Sequence, residues 1–362
     1  MERRARHQKD GAADGLIPLE SLSLDRVTTF TDLLRAMGKT AFGGRALGEA
    51  FEVTLAMVRD PECRVVLTLS GAMTIAKMGG VVATMIDSGM VQAVVSTGAL
   101  VAHGLAEAIG NTHYRHDPRW SDQELFLRGY NRVYDTLELE SNLDHVEDFT
   151  RRALATLDET QELCSSDVCR AIGKLLSESD SVGILCNAYR KDVPVSIPAF
   201  TDSELGLDLS VWAMRRAPVT GAEGPGRWLD SRPRFNPYLD LNRFARQAIE
   251  AKRLGIFTIG GGVPRNWAQE VGPYVDVVNE RLRAGIKPVR YAYGVRICPE
   301  PVHWGGLSGC SYAEGVSWGK FVPKAEGGRF AEVHADATTV WPLLIKGVLE
   351  ELGRDREEDP AR

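Results

Sequence analysis

Short apolar stretches alternate along the chain with segments in which apolar residues recur every three or four positions. Uninterrupted apolar runs are typical of strands covered on both faces, and the three-to-four spacing is typical of amphipathic helices. The predicted strands are Arg64–Ser70, Val91–Thr97, Ser181–Asn187, Pro194–Pro198, Ile256–Gly260, Tyr274–Val278, Val289–Ile297 and Ala331–Ala335. The predicted helices are Thr28–Met37, Arg45–Val58, Ile75–Ser88, Val101–Ile109, Val146–Leu157, Ser166–Ser177, Leu241–Leu254 and Thr338–Leu352. This alternation predicts parallel βαβ units and an α/β fold with an open, doubly wound sheet.

Two segments interrupt the alternation. Thr112–Asn142 is polar and aromatic, and Arg215–Pro237 is rich in Gly, Pro and Arg. Neither separates two self-contained sets of strands, so both are interpreted as loop insertions in one large domain spanning residues 18–353. The charge density of residues 1–17 and 354–362 predicts disordered ends.

The amino-acid composition excludes several classes of protein for this chain. The chain has 362 residues, of which 44% are hydrophobic and 25% charged, and these values exclude disordered, collagen-like and disulfide-scaffold proteins. A net charge of −6 argues against a nucleic-acid partner and is compatible with a cationic substrate.

Neither a membrane span nor a secretory signal is predicted. The longest uncharged run, Ser88–Ala106, contains polar residues and glycines and is better explained as strand, turn and helix start. The amino-terminal residues lack the apolar stretch of a signal peptide. Six scattered cysteines suit reduced thiols in a cytoplasmic enzyme: Cys63, Cys164, Cys169, Cys186, Cys298 and Cys310.

Small and polar residues follow five of the predicted strands. Ligands of open α/β sheets bind outside the carboxyl ends of the strands, so these turns predict a cleft of dinucleotide size. The turns are Ser70-Gly71-Ala72, Ser96-Thr97-Gly98-Ala99, Thr201-Asp202, Gly260-Gly261-Gly262 and Ala335-Asp336-Ala337. His103 faces the second turn and is either a cleft residue or a structural histidine.

Each turn also has a simpler explanation. No GxGxxG fingerprint follows the first strand. The triple glycine could be an ordinary strand-to-helix turn, and Asp202 and Asp336 could be helix N-caps. Nucleotide binding is therefore predicted from the five turns together.

A metal site is not predicted. His113 and His116 have a ligand-like spacing, but they lie in a polar loop with no nearby Cys or Glu partner.

The densest chemical signal is the segment WGGLSGCSYAEGVSWGKF, which spans residues 304–321. Lys320 in a desolvated pocket could become a neutral nucleophile toward an imine or carbonyl. Trp318 and Glu314 together could hold an alkylammonium group through cation–π attraction and ion pairing. The alternative is an ordinary surface lysine at a strand end.

The run EGVSWGK, followed by ADATTVWPLL, resembles the carboxyl-terminal signature of the deoxyhypusine synthases and their bacterial homologues. The segments LTLSGA, VSTGALVAHGLAEAIG, PAFTDSELGLD and FTIGGGVPRNWAQ occur in the same order as in that family, and the resemblance covers roughly residues 42–352. It implies a Rossmann-like single domain, a homotetramer built from dimers, and NAD bound at the dimer interface.

The resemblance also implies roles for individual residues. Lys320 would carry the covalent imine, while Trp318, Glu314, Asp208 and Asn266 would contact a polyamine such as spermidine or putrescine. The residues predicted to bind NAD are Ser70, Gly71, Ser96, Thr97, Gly98, His103, Asp202, Gly261, Gly262, Asp336 and Ala337.

Three departures from the family pattern concern the acceptor side. Asn266 lies in the stretch where eukaryotic members have a lysine and histidines, Leu307 replaces an acidic residue, and Asp208 is displaced by one position. These changes resemble the bacterial-type branch. They favour an aminobutyl transferase with a small diamine acceptor and a homospermidine-type product. The alternatives are transfer from spermidine to a protein lysine and a non-catalytic NAD-binding homologue.

Overall fold

The computed structural model describes residues 11, 13–158, 160–216 and 227–358. Its helices are α1 (Phe30–Gly38), α2 (Phe42–Arg59), α3 (Gly79–Asp87), α4 (Gly98–Ala108), α5 (Asp122–Leu127), α6 (Glu140–Leu154), α7 (Ser165–Leu176), α8 (Ile184–Arg190), α9 (Glu204–Arg215), α10 (Pro237–Glu250), α11 (Gly262–Gln269), α12 (Val271–Leu282), α13 (Tyr312–Ser317) and α14 (Ala337–Glu358). Its strands are β1 (Cys63–Leu69), β2 (Ala93–Ser96), β3 (Tyr114–Arg115), β4 (Tyr130–Val133), β5 (Thr136–Leu139), β6 (Val195–Ser196), β7 (Arg253–Ile259), β8 (Tyr291–Ile297) and β9 (Arg329–Val333).

Six strands form a parallel sheet in the order β6-β2-β1-β7-β8-β9. Counted along the chain within this sheet, the order is 3-2-1-4-5-6, which is the arrangement of dinucleotide-binding Rossmann folds. The order reverses between β1 and β7, which pair over their whole length from Cys63–Arg253 to Leu69–Ile259. The predicted α/β, doubly wound, Rossmann-like single domain is confirmed, and the topology puts a cleft at the carboxyl ends of β1 and β7.

Side chains alternate between the two faces of the sheet. Val65 and Leu67 of β1 pack with α2 and α14, whereas Val66 packs with α10, α11 and α12 on the opposite face. Because both faces are covered, the central strands carry apolar residues at successive positions.

Two predicted strands are helices in the structure. The apolar run Ser181–Asn187 largely forms α8, whose first turn is closed by the Asn187 side chain accepting from the Gly183 N–H at 2.9 Å. Tyr274–Val278 lies inside α12, where Val271 and Val275, four positions apart, are buried. A short apolar run fits a buried helix as well as a strand, so this pattern alone could not distinguish them.

Several predicted boundaries also needed correction. The predicted helix Leu241–Leu254 ends at Glu250, and its last residues belong to β7. Helix α14 continues to Glu358, where a disordered tail was expected from residue 354, and Arg59 forms an ion pair with Asp355 at 2.6 Å.

The first insertion has regular structure. Strands β3, β5 and β4 form an antiparallel sheet with β5 in the centre, and helix α5 precedes β4. The prediction of an irregular loop is therefore wrong for this segment. Much of the second insertion, and most of the amino-terminal segment predicted to be disordered, lie outside the described residues.

The six cysteines are free thiols. Among the described residues, no helix has both the length and the apolar character needed to span a membrane.

Candidate functional site

The turns after β1 and β7 are bonded to each other at the reversal point of the sheet. Ser70 Oγ accepts a hydrogen bond from the Gly261 N–H at 2.9 Å and donates to the Ile259 carbonyl at 3.2 Å. Gly260 has φ +74°, and a Cβ atom there would lie 2.3 Å from Ser70 Oγ. The triple glycine is thus required for the close approach of the two turns.

The turn after β2 lies against the start of α9. A Cβ atom on Gly98 would lie 2.1 Å from Ser203 Oγ, so the turn preceding α4 and the residue after Asp202 are in direct contact. Asp202 itself is exposed. Helix α4 has Thr97 as its N-cap residue, and helix α11 has Gly261. In both helices the N-cap residue makes no side-chain hydrogen bond to the first turn. Uncapped N–H groups at two helix starts on this edge favour an anionic ligand.

Asp336 acts as a local capping group in the structure. Its Oδ1 accepts hydrogen bonds from the Thr338 N–H at 2.7 Å and from Thr338 Oγ1 at 2.9 Å, where Ala337 begins α14. The N-cap explanation considered from the sequence therefore accounts for these contacts. A role for Asp336 and Ala337 in cofactor binding stays a prediction.

Two side chains hold Lys320 in a buried position. Asn266 lies on α11, and Glu270 follows the last residue of that helix. Lys320 Nζ donates to Asn266 Oδ1 at 2.9 Å and lies 2.8 Å from Glu270 Oε1. Only 9% of the Lys320 side chain is exposed. Asn266 and Glu270 are four residues apart, so a single helical face presents both to the amine.

The Lys320 amine opens onto a pocket of about 290 Å³. The exposed indole of Trp318 lies at its mouth, with the ring centre 5.9 Å from Lys320 Nζ, within cation–π range. Glu314 and Leu307 also line the pocket. A carboxylate and an aromatic face beside an amine form a suitable receptor for an alkylammonium group.

Several pocket residues were not predicted from the sequence, and two of them, Glu270 and Cys310, have ionisable side chains. Glu270 could have been found by helical spacing from Asn266 in the segment RNWAQE. Cys310 also lines the pocket, and burial together with its contact with Glu314 raises the pKa of its thiol. The cysteine had no sequence signal, since it is one of six scattered thiols.

Asp208 does not line the Lys320 pocket. It lies on α9, and its buried Oδ2 has no hydrogen-bond partner. Burial, with smaller contributions from Glu147 and Glu204, raises the pKa of Asp208 to about 7. Within one copy of the chain, the predicted substrate carboxylate and the predicted nucleophile are thus in different places.

His103 and His113 meet at one carboxylate. His103 Nδ1 lies 2.6 Å from Glu138 Oε2, and His113 Nε2 lies 3.1 Å from Glu138 Oε1. Burial lowers the pKa of His103, but Glu138 and Glu204 together raise it by more, so the net shift is upward. Burial raises the pKa of Glu138, and the two histidines outweigh this effect and lower it to about 2. The sequence considered His113 with His116, whereas the structure pairs it with Glu138; cofactor contact by His103 stays a prediction.

Comparisons with known proteins agree with this architecture. A family model described as deoxyhypusine synthase matches residues 32–348. Probable deoxyhypusine synthase 2 of Methanosarcina acetivorans is 31% identical over 327 residues, covering 88% of this chain and 86% of that protein. A deoxyhypusine synthase-like protein of Chlorobaculum parvum is 32% identical over 316 residues, covering 86% and 84% respectively. The solved structure of a candidate deoxyhypusine synthase from Entamoeba histolytica aligns with a TM-score of 0.57 at 13% identity, covering 92% of this chain and 97% of that one, a likeness of fold.

Proposed function

This chain belongs to the deoxyhypusine synthase family and is a deoxyhypusine synthase-like transferase, and from that premise we propose that it moves an aminobutyl group between amines in an NAD-dependent reaction. The donor is a polyamine, spermidine or putrescine, and the intermediate is an imine on Lys320. The acceptor is a small diamine, which gives a homospermidine-type product. The observation that carries the proposal is the Lys320 amine, buried between Asn266 and Glu270 at a pocket with a carboxylate and an exposed indole.

The carboxyl edge of the sheet fits a dinucleotide. Two helix starts there have no side-chain cap, and the order reversal between β1 and β7 is the usual position for such a ligand. Ser70, Thr97, Gly98, Gly261 and Asp202 would hold NAD. When bound, NAD accepts a hydride from the carbon beside an amine nitrogen and later returns it.

Lys320 has the contacts that a nucleophilic lysine needs. The amine must lose a proton before it attacks, and Glu270 Oε1, 2.8 Å from Nζ, is the nearest carboxylate to receive it. Asn266 Oδ1 orients Nζ. In the transfer step, a C=N bond to Lys320 Nζ forms while the C=N bond to the leaving amine breaks. The leaving amine takes up the proton that Lys320 lost.

Trp318 and Glu314 bind the cationic chain of the polyamine. The indole face attracts an ammonium group, and the Glu314 carboxylate neutralises it. Leu307, half exposed at the same pocket, offers no charge where the family pattern has an acid. A site with fewer fixed charges on the acceptor side suits a small diamine that brings its own ammonium group.

We propose further that two copies of the chain complete each site within a homotetramer. Exposed apolar side chains line the Lys320 pocket, including Trp318 at 65% exposure, Leu307 at 49% and Val302 at 45%. A rim of this kind is typical of a surface that another protein covers. A second copy would also bring in Asp208, which does not line this pocket in its own chain. The free cysteines suit a reducing, cytoplasmic compartment.

Chemical trapping tests the proposal directly. The protein is incubated with NAD and spermidine or putrescine, treated with borohydride and digested with a protease. The masses of its peptides are then measured by mass spectrometry. We expect an aminobutyl adduct on Lys320. Lys320→Arg, which keeps the positive charge near Glu270, should carry no adduct and should form no homospermidine from labelled putrescine. Lys324→Arg is the matched control, because Lys324 is exposed and lies outside the pocket.

The outcomes separate the alternatives. Product formation by Lys320→Arg at the wild-type rate would overturn the imine on Lys320. An adduct that passes only to a protein lysine and never to a diamine would overturn the proposed acceptor. Failure to trap any adduct with either polyamine would favour a non-catalytic homologue.

A further inference from the structure

We propose that His103, His113 and Glu138 form a binding site for a divalent transition-metal ion, with zinc as the best match. The three residues come from α4, from the segment before β3, and from β5. Their donor atoms all lie within 4.8 Å of one another. Nitrogen and oxygen donors bind zinc at about 2.0–2.2 Å, which places neighbouring ligands about 3.3 Å apart, so small side-chain shifts bring this set around an ion.

The pairing of Glu138 with His103 leaves one buried atom of each side chain without a hydrogen bond. Their atoms lie only 2.6 Å apart, yet neither Glu138 Oε2 nor His103 Nδ1 has a well-aligned hydrogen-bond partner. The Glu138 side chain is 2% exposed and the His103 side chain 16% exposed, so water is largely excluded from the contact. A buried carboxylate oxygen without a partner is costly, and an ion between oxygen and nitrogen would satisfy both atoms.

The surrounding charges are suited to a dication. Glu138 contributes one negative charge, and Glu204, whose Oε2 is also buried without a hydrogen-bond partner, exerts a second negative charge on His103. Two carboxylates would balance the ion. With three protein ligands, a tetrahedral ion has one remaining position for a water molecule.

Lys77 competes with the ion. Lys77 Nζ lies 2.8 Å from His113 Nδ1, so Nδ1 accepts a hydrogen bond from the ammonium and Nε2 carries the hydrogen that points to Glu138. A histidine that binds a metal through Nε2 carries its proton on Nδ1 instead. Lys77 must then turn toward Glu107, whose Oε1 already lies 3.4 Å from Nζ. Removal of the lysine should therefore tighten metal binding. A cluster held together only by hydrogen bonds would show no such gain in metal affinity.

The site would fasten the insertion to the main domain. His113 and Glu138 belong to the antiparallel insertion, while His103 lies on the helix that begins at the turn after β2. An ion bound to all three would fix the insertion beside the carboxyl edge of the large sheet. This proposal does not depend on the proposed transfer reaction, because metal binding is measured without substrate or NAD.

Cobalt titration of the full-length protein provides the test. After removal of metals with a chelator, Co²⁺ is added and visible absorption is recorded, and zinc content after reconstitution is measured by mass spectrometry. We expect one ion per chain and a higher Tm with zinc. His113→Ala and Glu138→Gln should lower the affinity by more than the roughly 10–100-fold loss typical of residues behind the ligands. Lys77→Met should raise it.

Matched controls and a second variant keep the result decisive. His116→Gln and His145→Gln remove histidines outside the cluster and should leave binding unchanged. If Glu138→Gln fails to fold, His103→Gln replaces the more exposed ligand. Absence of stoichiometric binding by the wild-type protein overturns the proposal, whatever Lys77→Met does. Binding that His103→Gln and His113→Ala leave unchanged overturns it as well.

Discussion

The Lys320 pocket and the cluster of His103, His113 and Glu138 are both built around buried ionisable groups, but they differ in access to solvent. Lys320 faces a pocket, and its partner Glu270 is 44% exposed. Glu138 and His113 have side chains that are 1–2% exposed. An ionisable group in a solvent-accessible pocket can exchange protons and contact a substrate. A group that is closed off from solvent can stabilise the fold or bind a small ion.

The largest expected difference concerns stability. Removing Glu138 leaves two buried histidines without their carboxylate, so Glu138→Ala should lower the free energy of unfolding by about 3–5 kcal/mol. Lys320→Ala should lower it by no more than about 1 kcal/mol, because Glu270 can be hydrated. Urea denaturation of metal-free protein measures both. Equal losses in the two variants would remove the distinction between an open and a closed site.

The next expected effect sharpens the role of the open site. Trp318→Ala should raise the KM for the polyamine by about tenfold or more, which corresponds to a cation–π contribution of about 1–2 kcal/mol. Its Tm should stay close to that of the wild type, because the indole is 65% exposed. Trp304→Ala, which also removes an exposed indole, is the control. Steady-state kinetics and thermal melting together decide the matter, and an unchanged KM would contradict the receptor role of Trp318.

The smallest expected effect involves pH. Asp208 has a pKa of about 7 in the folded chain against an ordinary value of 3.8, so the folded state holds its proton more tightly than the unfolded state. Its contribution to stability is therefore present below pH 4 and is lost as the pH rises from about 4 to 7. An asparagine side chain does not ionise, so the Asp208→Asn variant should be more stable than the wild type at pH 7. The expected difference is about 1 kcal/mol, because Asp208 is only partly buried.

Unfolding curves of both proteins at pH 4 and pH 7.5 measure this difference. Glu138 should behave in the opposite way, because its pKa is lowered to about 2 and its stabilising effect disappears as the pH falls below about 4.5. A stability gap between Asp208→Asn and wild type that does not change with pH would count against the buried, unpartnered position of Asp208.

Much of the architecture followed from the sequence. Six of the eight predicted strands form the parallel sheet, because buried strands must be apolar at successive positions to be covered on both faces. Lys320, Trp318 and Glu314 lie within seven residues of one another, so one local segment carried the signal for the pocket. Patterns of this kind involve residues that are close in the sequence, so they can be recognised before the tertiary structure is known.

The tertiary structure decided what depends on distant packing. Ser181–Asn187 and Tyr274–Val278 became helices, because burial against neighbouring elements outweighs the preference of a short apolar run. Glu270 reached Lys320 across 50 positions of the chain, and Glu138 reached His103 across 35 positions. A carboxylate partner at such separations leaves no local pattern. It is the approach of separate elements in the fold that makes one amine a candidate nucleophile and two histidines a candidate metal site.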